Sequence, residues 1–185
     1  MKILVIDLET TGLYSSSDLI VEIGVALVDT ETKAIALVFD NVVKDSRFNP
    51  DKHKNSWVFQ NTTLKVEDVV KAKPLDSYIE ELQNLFDQYP VTAYNKSFDL
   101  GFLRAVGFVI NDTKCLMQTS KQYCLLKTAA GKVKTPKMEE IYNQFFMSEG
   151  KGYKEQHRAA ADAEDEARIL LHLVELKSKK NLVIS

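Results

Sequence analysis

The chain has 185 residues, of which 45% are hydrophobic and 27% are charged, and two are cysteines. This composition argues against a disordered, fibrous or disulfide-framed protein, and no apolar run approaches the roughly 20 residues of a membrane span. The net charge of −2 disfavours a protein that coats nucleic acid by charge alone, because such proteins usually carry a basic excess. We expect one cytoplasmic domain over residues 1–185, with a core from about residue 3 to 176.

The first part of the chain predicts strands. Ile3-Leu4-Val5-Ile6 is a β-branched apolar run typical of a strand buried on both faces. Residues 19–28 and 34–43 predict two further strands, with residues 29–33 as the turn between them. Together they predict a three-stranded β-meander.

Helical periodicity dominates the rest. A short helical stretch is predicted within residues 61–73, and apolar residues at helical spacing predict an amphipathic helix from Leu75 to Phe86 that Pro90 ends. Residues 91–94 predict a strand, followed by a helix over about 98–106. Thr135-Pro136 predicts a helix start that continues through 139–147, and a last helix is expected over 159–177. The order predicts a mixed α/β domain.

Two carboxylates, Asp7 and Glu9, end the first strand. Residues two apart on a strand project to the same side, and the carboxyl ends of strands in open α/β sheets are where ligands bind. The Asp-x-Glu pattern is weak alone, since Asp29/Glu31 and Asp162/Glu164 also match it. From this segment, function and a structural role are equally open.

Acids in the middle and at the end of the chain have two interpretations as well. Asp99 lies near a predicted helix start, where the helix dipole favours an acid. His157 precedes the last helix, and Asp162 falls among alanines on its apolar side. A favourable interaction with the helix dipole explains acids in the first turns, namely Glu164, Asp165 and Glu166. It explains Asp162 less well, because this residue lies further into the apolar stripe.

Three segments occur in order, namely Asp7-Leu8-Glu9-Thr10-Thr11-Gly12, Asn95-Lys96-Ser97-Phe98-Asp99 and His157-x4-Asp162. Together they resemble the DEDDh group of 3′–5′ exonucleases, over essentially residues 3–176. The resemblance implies a ribonuclease H-like α/β fold, a mixed five-stranded sheet flanked by helices. It also implies a metal-dependent enzyme that removes nucleotides from the 3′ end of single-stranded nucleic acid, DNA in preference to RNA, and releases nucleoside 5′-monophosphates.

The resemblance also assigns roles. Asp7, Glu9 and Asp162 would bind the first of two divalent cations, Mg²⁺ or Mn²⁺. Asp7 would bridge to the second, with Asp99 helping through water, and His157 would be the general base. Such ions neutralise the phosphodiester and generate a nucleophile. The implied substrate contacts are Thr10, Thr11, Gly12, Leu13, Asn95, Phe98 and Phe102, although the two phenylalanines also suit the core.

The chain departs from the family at two places. Many members carry His-Gly-Ile where this chain has Asn61-Thr62-Thr63-Leu64, and Asp-Thr where it has Gln118-Thr119. These differences bear on substrate contacts. Two alternatives remain, a non-catalytic nucleic-acid-binding or polymerase-associated module and a haloacid-dehalogenase-like phosphatase built on Asp7. Expected partners are a strand 3′ end and a DNA polymerase or a replication or repair complex, with no membrane, for a monomer or homodimer.

Between Thr113 and Met138 six lysines occur without an acid. Such a run is usually a solvated face. Beside a nuclease cleft it could instead contact the phosphate backbone, making binding sensitive to salt. The lysines are Lys114, Lys121, Lys127, Lys132, Lys134 and Lys137.

Overall fold

The computed structural model describes residues 1–147 and 152–183, with side chains as far as Lys179. Its strands form one mixed sheet in the order β3-β2-β1-β4. The central strand β1 (Lys2–Thr10) is antiparallel to β2 (Ile20–Asp29), which is antiparallel to β3 (Ile35–Val42). The short β4 (Val91–Thr92) joins the other side of β1 in parallel. The predicted meander and mixed α/β class are confirmed.

The described part of the sheet has four strands, so the prediction of five is wrong. At the place of a fifth strand there is one isolated parallel bridge between Val91 and Asp112. The Val91 N–H donates to the Asn111 carbonyl, and the Thr113 N–H donates to the Val91 carbonyl, both at 2.9 Å. The pairing stops there because the chain enters a helix at Leu116, three residues later.

Eight α-helices are described, three of which, α1, α2 and α6, are too short to give a periodic sequence signal. They are α1 (Pro50–His53), α2 (Trp57–Asn61), α3 (Val66–Lys71), α4 (Ile79–Gln88), α5 (Lys96–Ala105), α6 (Leu116–Ser120), α7 (Met138–Phe146) and α8 (Ala159–Val183). A 3-10 turn, Leu75–Tyr78, leads into α4. In the described chain, no helix combines the length and apolarity needed to cross a membrane.

Two predicted helix boundaries are corrected by local hydrogen bonds. The stretch predicted within residues 61–73 divides between the end of α2 and α3, because the Thr62 hydroxyl accepts the Leu64 N–H at 3.0 Å and stabilises a non-helical turn. Helix α7 begins at Met138 instead of Pro136. Its N-cap is Lys137, whose N–H donates to the Glu140 carboxylate at 2.9 Å.

The alternation of side chains along β1 divides the core in two. Leu4, Ile6 and Leu8 pack with residues of α4 and α5, whereas Ile3 and Val5 pack with residues of α7 and α8. Helices therefore cover both faces of the sheet. Because alternate residues share a face, Asp7 and Glu9 continue the series of Ile3 and Val5 and project toward α8.

Candidate active site

A cleft of about 200 Å³ opens at the carboxyl end of β1. Its walls come from β1, the β4–α5 connection, α5, the loop before α8 and α8 itself. Four predicted site residues line it, namely Asp7, Glu9, Asp99 and His157. The fifth, Asp162, adjoins it, since Glu9, His157 and Asp162 each offer a ligand atom within 4.8 Å of the others'. Acids distant in sequence therefore meet in one place.

A glycine in β2 permits this meeting. Gly24 pairs in register with Asp7. A Cβ at Gly24 would lie 2.2 Å from the backbone carbonyl of Ala159, so only glycine lets the start of α8 approach the sheet this closely. Asp162, three residues into the helix, is thereby brought to the carboxylates of β1. The sequence signal is an isolated glycine inside an apolar strand.

The His157 loop is fixed by Asp162. His157 adopts a left-handed backbone conformation with φ of 51°. On either side of it, the N–H groups of Gln156 and Arg158 donate to the Asp162 carboxylate at 3.2 and 3.1 Å. Asp162 therefore serves two purposes, as it holds the histidine loop and presents an oxygen to the cleft.

Burial dominates the electrostatics of the site. Burial, together with the nearby Asp162 and Glu22, raises the pKa of Glu9 to about 8. It raises the pKa of Asp99 to about 8 and that of Asp162 to about 6. The pKa of Asp7 is raised well above its ordinary value by burial and then by Glu166 and Asp99. These carboxylates lie together at a cost that a bound cation would offset.

The residues present fit a divalent cation. Mg²⁺ and Mn²⁺ prefer oxygen ligands, which these carboxylates supply. Among the described residues that line the cleft, only His157 can carry a positive charge of its own. The compact group of Glu9, His157 and Asp162 contains the histidine where the resemblance implied Asp7 as the third ligand. The structure thus shows a possible acidic and histidine metal site.

Two further acids line the cleft and were missed by the sequence interpretation. Glu166, attributed to the helix dipole, is 2% exposed and accepts the Tyr94 N–H at 2.9 Å. Glu155 lies two residues before His157, and burial raises its pKa to about 7. A signal for Glu166 exists, because residues four apart on a helix share a face and Glu166 follows Asp162 by four.

The predicted substrate contacts divide into accessible and buried residues. Asn95 and Phe98 line the cleft, and Leu13 is 75% exposed. In the turn after Glu9, the Thr10 hydroxyl donates to the Gly12 carbonyl at 2.6 Å.

The side chains of the other two predicted contacts, Thr11 and Phe102, are buried. Thr11 is buried and its hydroxyl accepts the Leu19 N–H at 2.9 Å. Phe102 is also buried and packs against Phe98 with ring centroids 5.0 Å apart. The ring of Phe102 therefore lies behind that of Phe98 in the core.

The lysine run lies outside the described lining of the cleft. Lys121, Lys127 and Lys132 are exposed, whereas Lys134 pairs with Glu140 at 2.5 Å. Lys137 nevertheless lies near the cleft residue Glu155, because its charge opposes the rise in the pKa of that carboxyl.

The chain matches the family described as Exonuclease, of the RNase T type, over residues 4–170. It therefore belongs to that family, and the prediction of an exonuclease is confirmed. Among curated relatives it is 27% identical over 179 residues to the 3′-5′ exonuclease DinG of Bacillus subtilis, covering 94% of this chain and 18% of the relative. It is 28% identical over 182 residues to a PolC-type DNA polymerase III of Caldanaerobacter subterraneus, and the match covers 94% of this chain and 12% of the polymerase. The chain thus spans less than a fifth of these relatives.

Solved structures share the fold. The nuclease domain of 3′hExo, a DEDDh family member bound to rAMP, superposes with a TM-score of 0.68 at 15% identity, covering 94% of this chain and 92% of that one. Escherichia coli exonuclease I in complex with a dT13 oligonucleotide superposes with a TM-score of 0.67 at 16% identity, covering 93% and 40%. The expected ribonuclease H-like fold is confirmed, and so is the resemblance to the DEDDh group.

Proposed function

We propose that this chain is a metal-dependent exonuclease that removes nucleoside 5′-monophosphates from the 3′ end of single-stranded nucleic acid, DNA in preference to RNA. The observation that carries the proposal is the convergence of Asp7, Glu9, Asp99, Asp162 and His157 on one cleft. The preference for DNA rests on the PolC-type relatives, which are DNA polymerases by name. The same relatives favour an exonuclease that acts together with a DNA polymerase. Residues 1–185 would form one exonuclease domain.

Asp7, Glu9, Asp99 and Asp162 would hold two divalent ions, Mg²⁺ or Mn²⁺. Bound there, such ions neutralise the phosphodiester and lower the pKa of a nearby water. His157 accepts the proton of the attacking water, a role that fits its place on the cleft wall and the loop held by Asp162. Asn95 and Phe98 border the cleft and would contact the terminal nucleotide.

The test is the digestion of 5′-labelled DNA and RNA oligonucleotides of matched sequence, single- and double-stranded, with Mg²⁺ or Mn²⁺. We expect a ladder that shortens from the 3′ end, fastest on single-stranded DNA. Asp7→Ala should abolish digestion, and His157→Ala should lower the rate by about 10²- to 10⁴-fold.

Glu31→Ala is the matched control, because Glu31 belongs to a second Asp-x-Glu pair in an exposed turn. It should leave the rate unchanged. Undiminished digestion by folded Asp7→Ala or His157→Ala would contradict the role of that residue. A wild-type protein that binds the strand without shortening it would favour the non-catalytic module. The phosphatase alternative loses its support, because the chain belongs to the exonuclease family.

A further inference from the structure

Trp57, the chain's single tryptophan, lies beside the cleft without a role in the site described so far. It is the first residue of α2 and its side chain is 54% exposed. Neighbouring apolar residues, including Val58, Leu64 and Val69, are buried in a small core beneath α2 and α3. The indole therefore stands outside the core that its own segment builds.

The indole contacts the histidine of the site. The rings of Trp57 and His157 pack edge to face, with centroids 5.0 Å apart and planes at 87°. A second contact joins the same two segments, since the Arg158 guanidinium donates to the Thr63 hydroxyl at 3.2 Å. The α2 segment thus lies against the His157 loop, and an exposed aromatic surface adjoins the cleft wall.

We propose that Trp57 is a substrate-binding residue, on which a nucleobase of the strand stacks while the strand terminus lies in the cleft. This inference rests on the proposed function. Aromatic rings bind single strands with little sequence preference, because every base offers a π face. The aromatic side chains that line the cleft are Phe98 of α5 and the buried Tyr94 just before that helix, so Trp57 adds an exposed ring from a different element. The ligand is a single-stranded oligonucleotide.

The experiment measures binding separately from cleavage. The probe is a 5′-labelled dT oligonucleotide with phosphorothioate linkages at its 3′ end to slow hydrolysis, titrated in Mg²⁺ and followed by anisotropy. Trp57→Ala and Trp57→Leu should raise the Kd by about 10- to 100-fold, since leucine keeps an apolar side chain without a ring to stack. Trp57→Phe should recover most of the affinity. In the wild type, the unlabelled strand should change tryptophan fluorescence with the same Kd.

Phe146→Ala is the matched control. Phe146 is 39% exposed and packs against His172 with centroids 5.3 Å apart, an aromatic–histidine contact away from the cleft. Its loss should leave the Kd unchanged. A Trp57→Leu variant that binds like the wild type, or fluorescence unaffected by a saturating strand, would overturn the proposal. A wild type that neither binds nor digests the strand would instead refute the proposed function.

Discussion

Glu9 and Glu22 face each other in register across β1 and β2, and both are buried, yet their surroundings differ. Glu22 accepts hydrogen bonds from the Arg158 guanidinium at 2.5–3.1 Å and from the Ala159 N–H at 3.1 Å. Glu9 lines the cleft with other acids and has no such ion pair among the described residues. Burial of a carboxylate therefore does not by itself indicate a site. What distinguishes the cleft is that, among the described residues, no lysine or arginine forms an ion pair with its carboxylates, whereas Glu22 has Arg158.

The largest expected consequence is the pH dependence of stability without metal. The folded pKa of Glu9 is raised from 4.5 to about 8, so its protonated form stabilises the fold below about pH 4.5. This contribution is lost as the pH rises through about 8. Between pH 5.5 and the folded pKa of about 8 this one group represents about 3 kcal/mol. We expect the midpoint of thermal unfolding in EDTA to fall by roughly 10 °C from pH 5.5 to 8.5.

Mn²⁺ should raise the unfolding midpoint most at the alkaline end, because the ion replaces protons on the carboxylates. Glu9→Gln should make the pH profile in EDTA less steep, and the remaining slope would come from Asp99 and Glu155, whose pKa values are also raised. Carboxylates whose pKa is lowered, such as Asp112 and Glu140, lose their stabilising effect only below their unfolded pKa values and so outside this window. If the unfolding midpoint stays constant or rises over this pH range, the cleft acids are not destabilising when ionised. The contrast between them and the paired Glu22 would then be wrong.

The paired region should respond to loss of its cation. Arg158→Ala leaves Glu22 buried without its partner, a change that costs about 3–5 kcal/mol for a fully buried pair. The Arg158 side chain is 37% exposed, so we expect about 2–3 kcal/mol, measured by urea denaturation. Arg104→Ala, which breaks the more exposed pair with Asp112, should cost under about 1 kcal/mol. Equal losses would show that the Glu22 pair does not stabilise the fold specifically.

Sequence patterns predicted most of the secondary structure and the order of the site residues. Ile3–Ile6 and the Leu75–Phe86 periodicity correspond to β1 and to the turn and helix ending at Gln88. The patterns could not show that Glu22 is neutralised by Arg158, since that pairing spans 136 residues. Nor could they show that Gly24 receives Ala159. Such features depend on the packing of α8 against β2, which no local periodicity encodes.

Two adjacent acids of α8 differ in the same way, since one is ion-paired and the other lines the cleft. Asp165 accepts the Tyr153 hydroxyl at 2.7 Å and pairs with Arg168, whereas Glu166 lines the cleft. A side chain that supports metal ligands contributes about 10- to 100-fold to metal affinity or activity. We therefore expect Glu166→Gln to weaken Mn²⁺ binding by that factor in calorimetric titration. Asp165→Asn is the matched control and should alter stability but leave Mn²⁺ affinity within about twofold. If Asp165→Asn weakened Mn²⁺ binding and Glu166→Gln did not, the assignment of Glu166 to the metal site would be wrong.

The smallest expected effect concerns lysines, which can also be compared as ion-paired and unpaired side chains. Lys134 pairs with Glu140, whereas Lys121 and Lys127 are exposed and form no ion pair with an acid of the described chain. If these lysines contact phosphates, Lys121→Glu with Lys127→Glu should weaken strand binding and reduce its log–log salt slope by about 0.7 per lost contact. Lys52→Glu with Lys54→Glu makes the same change of net charge at the end of α1 and should leave the slope unchanged. Equal shifts in both double variants would trace the effect to the net charge of the molecule and leave the run as a solvated face.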